Sequence, residues 1–327
     1  MSCASRRRRP GHPRKRSNHL ESNLPVSELR TATVFSPAKI NLFLAVTGRR
    51  IDGFHDLVSV VAPLDFGDRL IAEVGGKERI GPAQFSLDCS DPEVPVDGRN
   101  LVRKAAEAFV AATGWREFVA FRLEKHIPVG AGLGGGSSNA TAALRALNQL
   151  SGANLGRATL AKLAAEVGSD CPLFLEGGPV IMRGRGEKIE PLPELAVRRL
   201  RGRPLLIFKP SLGVSTPWAY EQMAAGAPQT YLPVEEAERR LSAWIEGTAD
   251  AVALQYNSLE PVVFRKFLAL PVLLDRLRIR FGLSTAMSGS GSACFAWLPP
   301  GAPISEIIAM VRDAWGAGCF VRQAAVS

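Results

Sequence analysis

Residues 127–150, IPVGAGLGGGSSNATAALRALNQL, run from a glycine-rich turn straight into an alanine–leucine helix pattern. Five of the seven residues from Gly130 to Gly136 are glycine, and Ser137, Ser138 and Asn139 follow. Gly130, Gly132 and Gly135 satisfy G-x-G-x-x-G, but a dinucleotide fold needs a second strand with an acid about 20 residues on. Residues 150–165 are helical instead, with no acid before Glu166. A Walker loop needs a lysine after the glycines, and none is there. A protein-kinase glycine loop needs a hairpin rather than a helix. What remains is a loop that offers backbone N–H groups and the positive end of a helix dipole to an anion. Ser137, Ser138 and Asn139 are placed to cap the helix or to donate to phosphate oxygens.

Outward from the loop, residues 32–47 and 56–73 read as strands, with a turn at Gly67-Asp68. Helices are expected at 100–113, 138–150 and 157–167, and a strand at 117–124. Short strands fit 180–182 and 205–209. Farther on, helical patterns cover 218–224, 233–244, 261–278 and 304–315, with strands at 285–287 and 293–298. This is an α+β pattern without a repeat. Three segments follow: 1–31, 32–194 and 195–327.

The 327 residues carry a net charge of +9. Eight cations and two acids fall in residues 1–30, so the body is close to neutral. The polar, Pro-containing start reads as a disordered basic tail, and a nucleic-acid partner is not expected for the folded body. No apolar run reaches the roughly 20 residues of a membrane span, and no apolar signal core is present. The five cysteines are widely spaced without a metal pattern, which suggests reduced cytoplasmic thiols. Nothing in the sequence fixes an oligomeric state.

Three further clusters carry polar residues among apolar ones. In SPAKINLFL, Lys39 and Asn41 sit on a strand, and RRIDGFH adds Asp52, Phe54 and His55. A lysine there can equally be an edge-protecting charge. In VGSDCPLFL, Asp170 precedes an apolar run, where a cap or turn is an equal alternative. AMSGSGSACFA, residues 286–296, is a second glycine–serine turn, either a tight hairpin or another anion nest.

Taken together, these stretches resemble the GHMP kinase superfamily. IPVGAGLGGGSSNA is similar to its phosphate loop. PAKINLFLAVTGRRIDGFHDL, GSDCPLF, RGRGEKIEPL and MSGSGSACF follow in the order and spacing of the branch that phosphorylates a cytidyl-diphosphate sugar alcohol in the non-mevalonate isoprenoid route. The similarity runs from about residue 33 to the C-terminus. It implies an N-terminal lobe like ribosomal protein S5 domain 2, a ferredoxin-like C-terminal lobe, and a site between them. It also implies ATP as phosphoryl donor to an acceptor hydroxyl, with Mg²⁺.

The roles implied by the resemblance are specific. Asp170 would take the acceptor proton, and Lys39 would neutralise charge beside it. Asn41 would hold the acceptor end. Phe54 and His55 would recognise cytosine, with Phe54 where the family usually has tyrosine, so the ring face remains and the hydroxyl is lost. Tyr220 would cover the other face of the base, and Thr216 would lie nearby. On the ATP side stand Asn100, Lys125, Pro128, Gly130, Gly132, Leu133, Gly134, Gly135, Gly136, Ser137 and Ser138, with Ser138 also a candidate metal ligand. Ser258 stands where the family commonly has aspartate, and a packing consequence is expected. A homoserine or mevalonate type of kinase is the alternative, and an acceptor without cytosine would leave Phe54 and His55 unused. A non-catalytic nucleotide or nucleic-acid binder is the third reading, and the intact Lys39 and Asp170 argue against it.

Overall fold

The computed structural model describes residues 1, 29–75, 84–247 and 249–327. The expected basic tail lies outside the described residues except for Met1 and 29–31. From Arg30 the chain is already strand.

Two 20-residue strands, β1 (Arg30–Arg49) and β2 (His55–Val74), form an antiparallel hairpin. Both are rich in Val, Ile, Leu and Ala, and most of their length is buried, as suits strands covered on both faces. The C-terminal half of β2 pairs β4 (Val119–Glu124), which carries β3 (Phe85–Cys89) in parallel. Its N-terminal half pairs β5 (Val180–Gly184), which carries β6 (Lys188–Pro191). The expected turn at Gly67-Asp68 does not occur, because β2 runs straight through it. Gly67 faces Pro37 across the hairpin, and a Cβ there would lie 2.3 Å from the Ser36 carbonyl. The glycine permits a close strand approach, with a register shift between Pro37 and Lys39.

Helices α1 (Leu101–Thr113), α2 (Gly135–Ser151) and α3 (Arg157–Val167) share one apolar core with this sheet. Phe109, Phe121, Leu144 and Leu147 are buried there, and the alanines of α2 let its backbone come close to its neighbours.

After α4 (Glu194–Leu200), strand β7 (Pro204–Lys209) opens a second sheet. Helices α5 (Thr216–Ala225) and α6 (Val234–Glu246) follow. Strand β8 (Tyr256–Asn257) returns to the first sheet, parallel to β1. Next come α7 (Glu260–Lys266), α8 (Ala269–Phe281), the hairpin of β9 (Thr285–Met287) and β10 (Cys294–Trp297), then α9 (Ile304–Trp315) and β11 (Phe320–Ala325). The second sheet is antiparallel in the order β11-β7-β10-β9.

The single helix expected over 261–278 is two helices. Pro271 sits in the first turn of α8, where it cannot donate to the carbonyl of Phe267 and its ring would collide with it. Phe267 accordingly leaves helical geometry, at φ −106° and ψ 67°. Ile40, Leu42 and Phe43 meet Leu205, Ile207 and Phe295 in one cluster, so the halves before and after residue 195 share a core. The four described cysteines are free thiols.

Candidate active site

The helix after the glycine loop starts three residues earlier than its sequence pattern indicates. Gly134 is its N-cap, at φ 72° in the left-handed region, and no side chain bonds the first-turn N–H groups. Ser137 and Ser138 therefore lie inside the first turn rather than capping it. Free N–H groups, a helix dipole and the absence of an acid from that turn make an anion site from backbone alone. A Cβ at Gly134 would lie 2.9 Å from both Lys39 Cγ and Phe174 Cζ, so the loop rests directly on the lysine. The Lys39 N–H donates to the Leu133 carbonyl at 2.9 Å.

Beneath the loop lies a buried polar network. Asp68, fully buried, accepts from Lys125 Nζ at 2.7 Å, from the N–H groups of His126 and Ile127 at 2.7 and 2.8 Å, and from Asn139 Nδ2 at 2.8 Å. Its ion pair is thus fully hydrogen-bonded, the condition under which a buried pair is tolerated. Lys125 also donates to the Ile127 carbonyl, and its Nζ would lie 3.1 Å from a Cβ at Gly135. Ser138 is turned inward, with its Oγ accepting from Ser36 Oγ at 2.8 Å. The Asn100 side chain caps α1, accepting from Val102 N–H and donating to the Pro95 carbonyl. Pro128 and Gly130 lie on the outer, partly exposed rim of the loop.

The second glycine turn, residues 288–292, docks against the first. Ser288 Oγ donates to the Gly132 carbonyl at 3.0 Å, and Ala293 N–H to the Ala131 carbonyl at 3.1 Å. Gly132 is at φ 75°, and a Cβ on it would lie 2.2 Å from the Ser288 carbonyl. Asn257 donates to the carbonyls of Met287 and Gly289 at 2.9 and 2.8 Å, and Glu260 accepts from Met287 N–H at 2.7 Å. Ser258 Oγ accepts from Val46 N–H, and its own N–H donates to the Leu44 carbonyl. The residue at that position ties β8 to β1.

One cleft of about 830 Å³ gathers Lys39, Asn41, Gly132, Gly134 and Asp170 at one end with Phe54, His55, Thr216 and Tyr220. Lys39 and Asn41 share a face of β1 between two register shifts, and Lys39 Nζ donates to Asn41 Oδ1 at 2.6 Å. Asn41 Nδ2 donates to Ser59 Oγ at 3.0 Å, which fixes the amide. Burial draws Lys39 below the ordinary lysine value, and the negative charge of Asp170 opposes that shift. Tyr220, pushed up to about 12 by burial and then by Asp170, stays a phenol. Its ring lies 4.9 Å from that of His55. Burial, helped by Arg49, lowers His55 and so favours its neutral form. Phe54 is half exposed, with Arg185 5.1 Å over its ring. Thr216 and Ser290 hydroxyls bond at 2.6 Å. Asn100, Lys125 and Ser138 do not line this cleft.

Residues 100–178 match the model for the N-terminal domain of GHMP kinases, and residues 240–317 match its C-terminal counterpart. A 4-diphosphocytidyl-2-C-methyl-D-erythritol kinase from Synechococcus sp. (strain CC9902) is 40% identical over 274 residues, 81% of this chain and 86% of that one. The chain belongs to this family of GHMP kinases. A crystal structure of a 4-(cytidine 5'-diphospho)-2C-methyl-D-erythritol kinase superposes with a TM-score of 0.69 at 35% identity, covering 90% of this chain and all of that one. The mevalonate kinase of Methanococcus jannaschii, 13% identical over 91% of this chain and 99% of its own, shares the two-domain GHMP kinase fold at a TM-score of 0.68.

In this kinase, several residues of the site escaped the sequence. Asp68, Asn257, Glu260 and Ser288 hold the two loops, and Arg49, Arg185 and Tyr231 lie around Phe54 and His55. Asp68 is one of four acids in β2, and only its full burial sets it apart, while its neighbour Gly67 made it read as a turn. Tyr231, whose ring is 5.9 Å from His55, follows a Pro- and Gly-containing loop with no strand or helix period.

Proposed function

We propose that this chain transfers the γ-phosphoryl group of ATP to the 2-hydroxyl of 4-diphosphocytidyl-2-C-methyl-D-erythritol, with residues 32–194 as the nucleotide lobe and 195–327 as the C-terminal lobe. The observation that carries the proposal is the single cleft joining Lys39 and Asp170 to Phe54, His55 and Tyr220, walled by the glycine loop. The free N–H groups at the start of α2 hold the nucleotide phosphates. Asn41, fixed by Ser59, orients the acceptor end. As the acceptor oxygen bonds to the γ-phosphorus, the bond to the β-phosphate oxygen breaks and its electron pair leaves with ADP. Asp170 receives the hydroxyl proton, and Lys39 neutralises the charge that builds on the transferring group. Cytosine lies between Phe54 and Tyr220, with neutral His55 at its edge.

No group of three or more His, Cys, Asp or Glu side chains among the described residues could hold a metal by itself. The residues fit a Mg²⁺ carried by the nucleotide, where phosphates and water supply most ligands and the ion offsets phosphate charge. Ser138 is buried with its Oγ bonded to Ser36, so it would offer such an ion little.

A coupled ADP-release assay with a panel of acceptors tests the proposal. Turnover is expected on the cytidyl substrate; turnover on homoserine or mevalonate instead would overturn it. Asp170→Asn should lower kcat on the order of 10³-fold with nucleotide binding retained, and near-wild-type activity would remove Asp170 from the base role.

A further inference from the structure

The motif GRRIDGFH holds two adjacent arginines that the fold uses differently. Arg50 pairs with Asp52 at 3.1 Å and with Asp56 at 3.2 Å, and is spent on closing the β1–β2 turn. Arg49 lines the cleft, is exposed, and has no acidic partner among the described residues. Its charge reaches both His55 and Tyr231. From the opposite side, the turn between β5 and β6 delivers Arg185, which lines the same cleft and lies over Phe54. Arg185 also has no ion pair within bonding distance among the described residues; Asp52 lies within reach of its field only.

Around Phe54, His55 and Tyr220 the lining thus carries two cations against one acid, Glu221 of α5. Among the described residues Lys39 is the one other cation that lines the cleft, and its Nζ is committed to Asn41 and the field of Asp170. Two unpaired guanidinium groups facing one cavity repel each other, and an anion between them relieves that repulsion. Guanidinium is also the side chain whose forked donors match a phosphate. We infer that Arg49 and Arg185 form a diphosphate subsite, gripping the pyrophosphate that joins the cytidine to the rest of the acceptor. This rests on the acceptor proposed above, since that molecule puts two phosphates between its base and its reacting hydroxyl. It also gives the stack of Arg185 on Phe54 a purpose: one arginine steadies the ring against the base and reaches the adjoining phosphates.

Calorimetric titration of cytidine and of CDP, with the ATP side saturated by ADP, tests the subsite without turnover. The wild type should bind CDP on the order of 30-fold more tightly than cytidine, from two charge-assisted contacts. The R49A R185A double variant should lose most of that preference, read as the ratio of the two Kd values, because loss of the Arg185 stack on Phe54 weakens cytidine and CDP alike. Both side chains are exposed, so a melting curve matching the wild type is expected for the variant. CDP bound no more tightly than cytidine by the wild type, or a preference retained in the double variant, would overturn the subsite alone. Failure of the wild type to bind either ligand would break the acceptor proposal, and the subsite with it.

Discussion

Two glycine-rich turns meet in this molecule, and they do opposite things with similar residues. In the first, residues 130–136, glycines leave the backbone partly open and its N–H groups free at the helix start. In the second, residues 288–292, every residue is buried, and its serine hydroxyls and carbonyls are bonded to Gly132, Thr216, Leu212 and Asn257. The first is a donor surface. The second is a brace that presses the first into place. Glycine content does not separate the two; burial and the partners of the polar atoms do.

The sharpest way to break this arrangement is at the point of contact. Gly132→Ala adds a methyl 2.2 Å from the Ser288 carbonyl and forces a side chain into left-handed backbone. The loops must part, and a displacement near 1 Å can cost about 10²-fold in rate. A fall in kcat/KM of at least that size, with a lower melting temperature, is the expected result. Asn257→Ala comes next, because it leaves the Met287 and Gly289 carbonyls without their buried donor. A loss of about 2–3 kcal/mol in urea denaturation is expected, with nucleotide affinity changed less than acceptor affinity.

A smaller effect separates the turns by pH. Burial raises the Glu260 carboxyl above its ordinary value of 4.5, despite the bond from Met287 N–H. Above 4.5 the unfolded chain releases this proton first, so it binds fewer protons than the folded chain. The stability that Glu260 contributes is therefore full below 4.5 and declines as pH rises through its folded value. E260Q should flatten that slope in urea midpoints measured from pH 4 to 8; an unchanged slope would place the titration elsewhere. The smallest effect belongs to the open turn. A Cβ at Gly136 would meet only Leu101 Cδ1, at 3.6 Å. Gly136→Ala should leave the KM for ATP within about twofold and stabilise α2 by up to about 1 kcal/mol. A large activity loss would mean that the donor surface tolerates no side chain at all.

The site was legible where the chemistry is local. Lys39 and Asn41 stand out as polar residues two apart on an apolar strand, and Asp170, Phe54, His55, Thr216 and Tyr220 do fall around the same cleft. Its supports were not legible, because their partners are distant in sequence. Asp68 is 57 residues from Lys125, and Ser288 is 156 residues from Gly132. The hairpin form of residues 286–296 is a local property and emerged; its docking onto another turn is not local. Strands β3, β6 and β11 are short or half polar, so alternation gave them no contrast. The start of α2 was displaced because hydroxyl residues outrank glycine as caps, whereas here the glycine leaves the N–H groups unused. Ser258, where a packing consequence was expected, accepts from Val46 N–H of β1.

That open cap has a consequence for the nucleotide itself. A 17-residue helix at the centre of the first lobe begins without a side-chain cap of its own. A phosphate seated there, as proposed, would complete the helix as an aspartate or serine does elsewhere, and the donor substrate would then also be a piece of secondary structure. Hydrogen exchange at Gly135–Ser137 should slow when ATP binds and quicken as ADP leaves. The first turn of α2 would then form and fray once per catalytic cycle, a small folding reaction timed by the enzyme's own turnover.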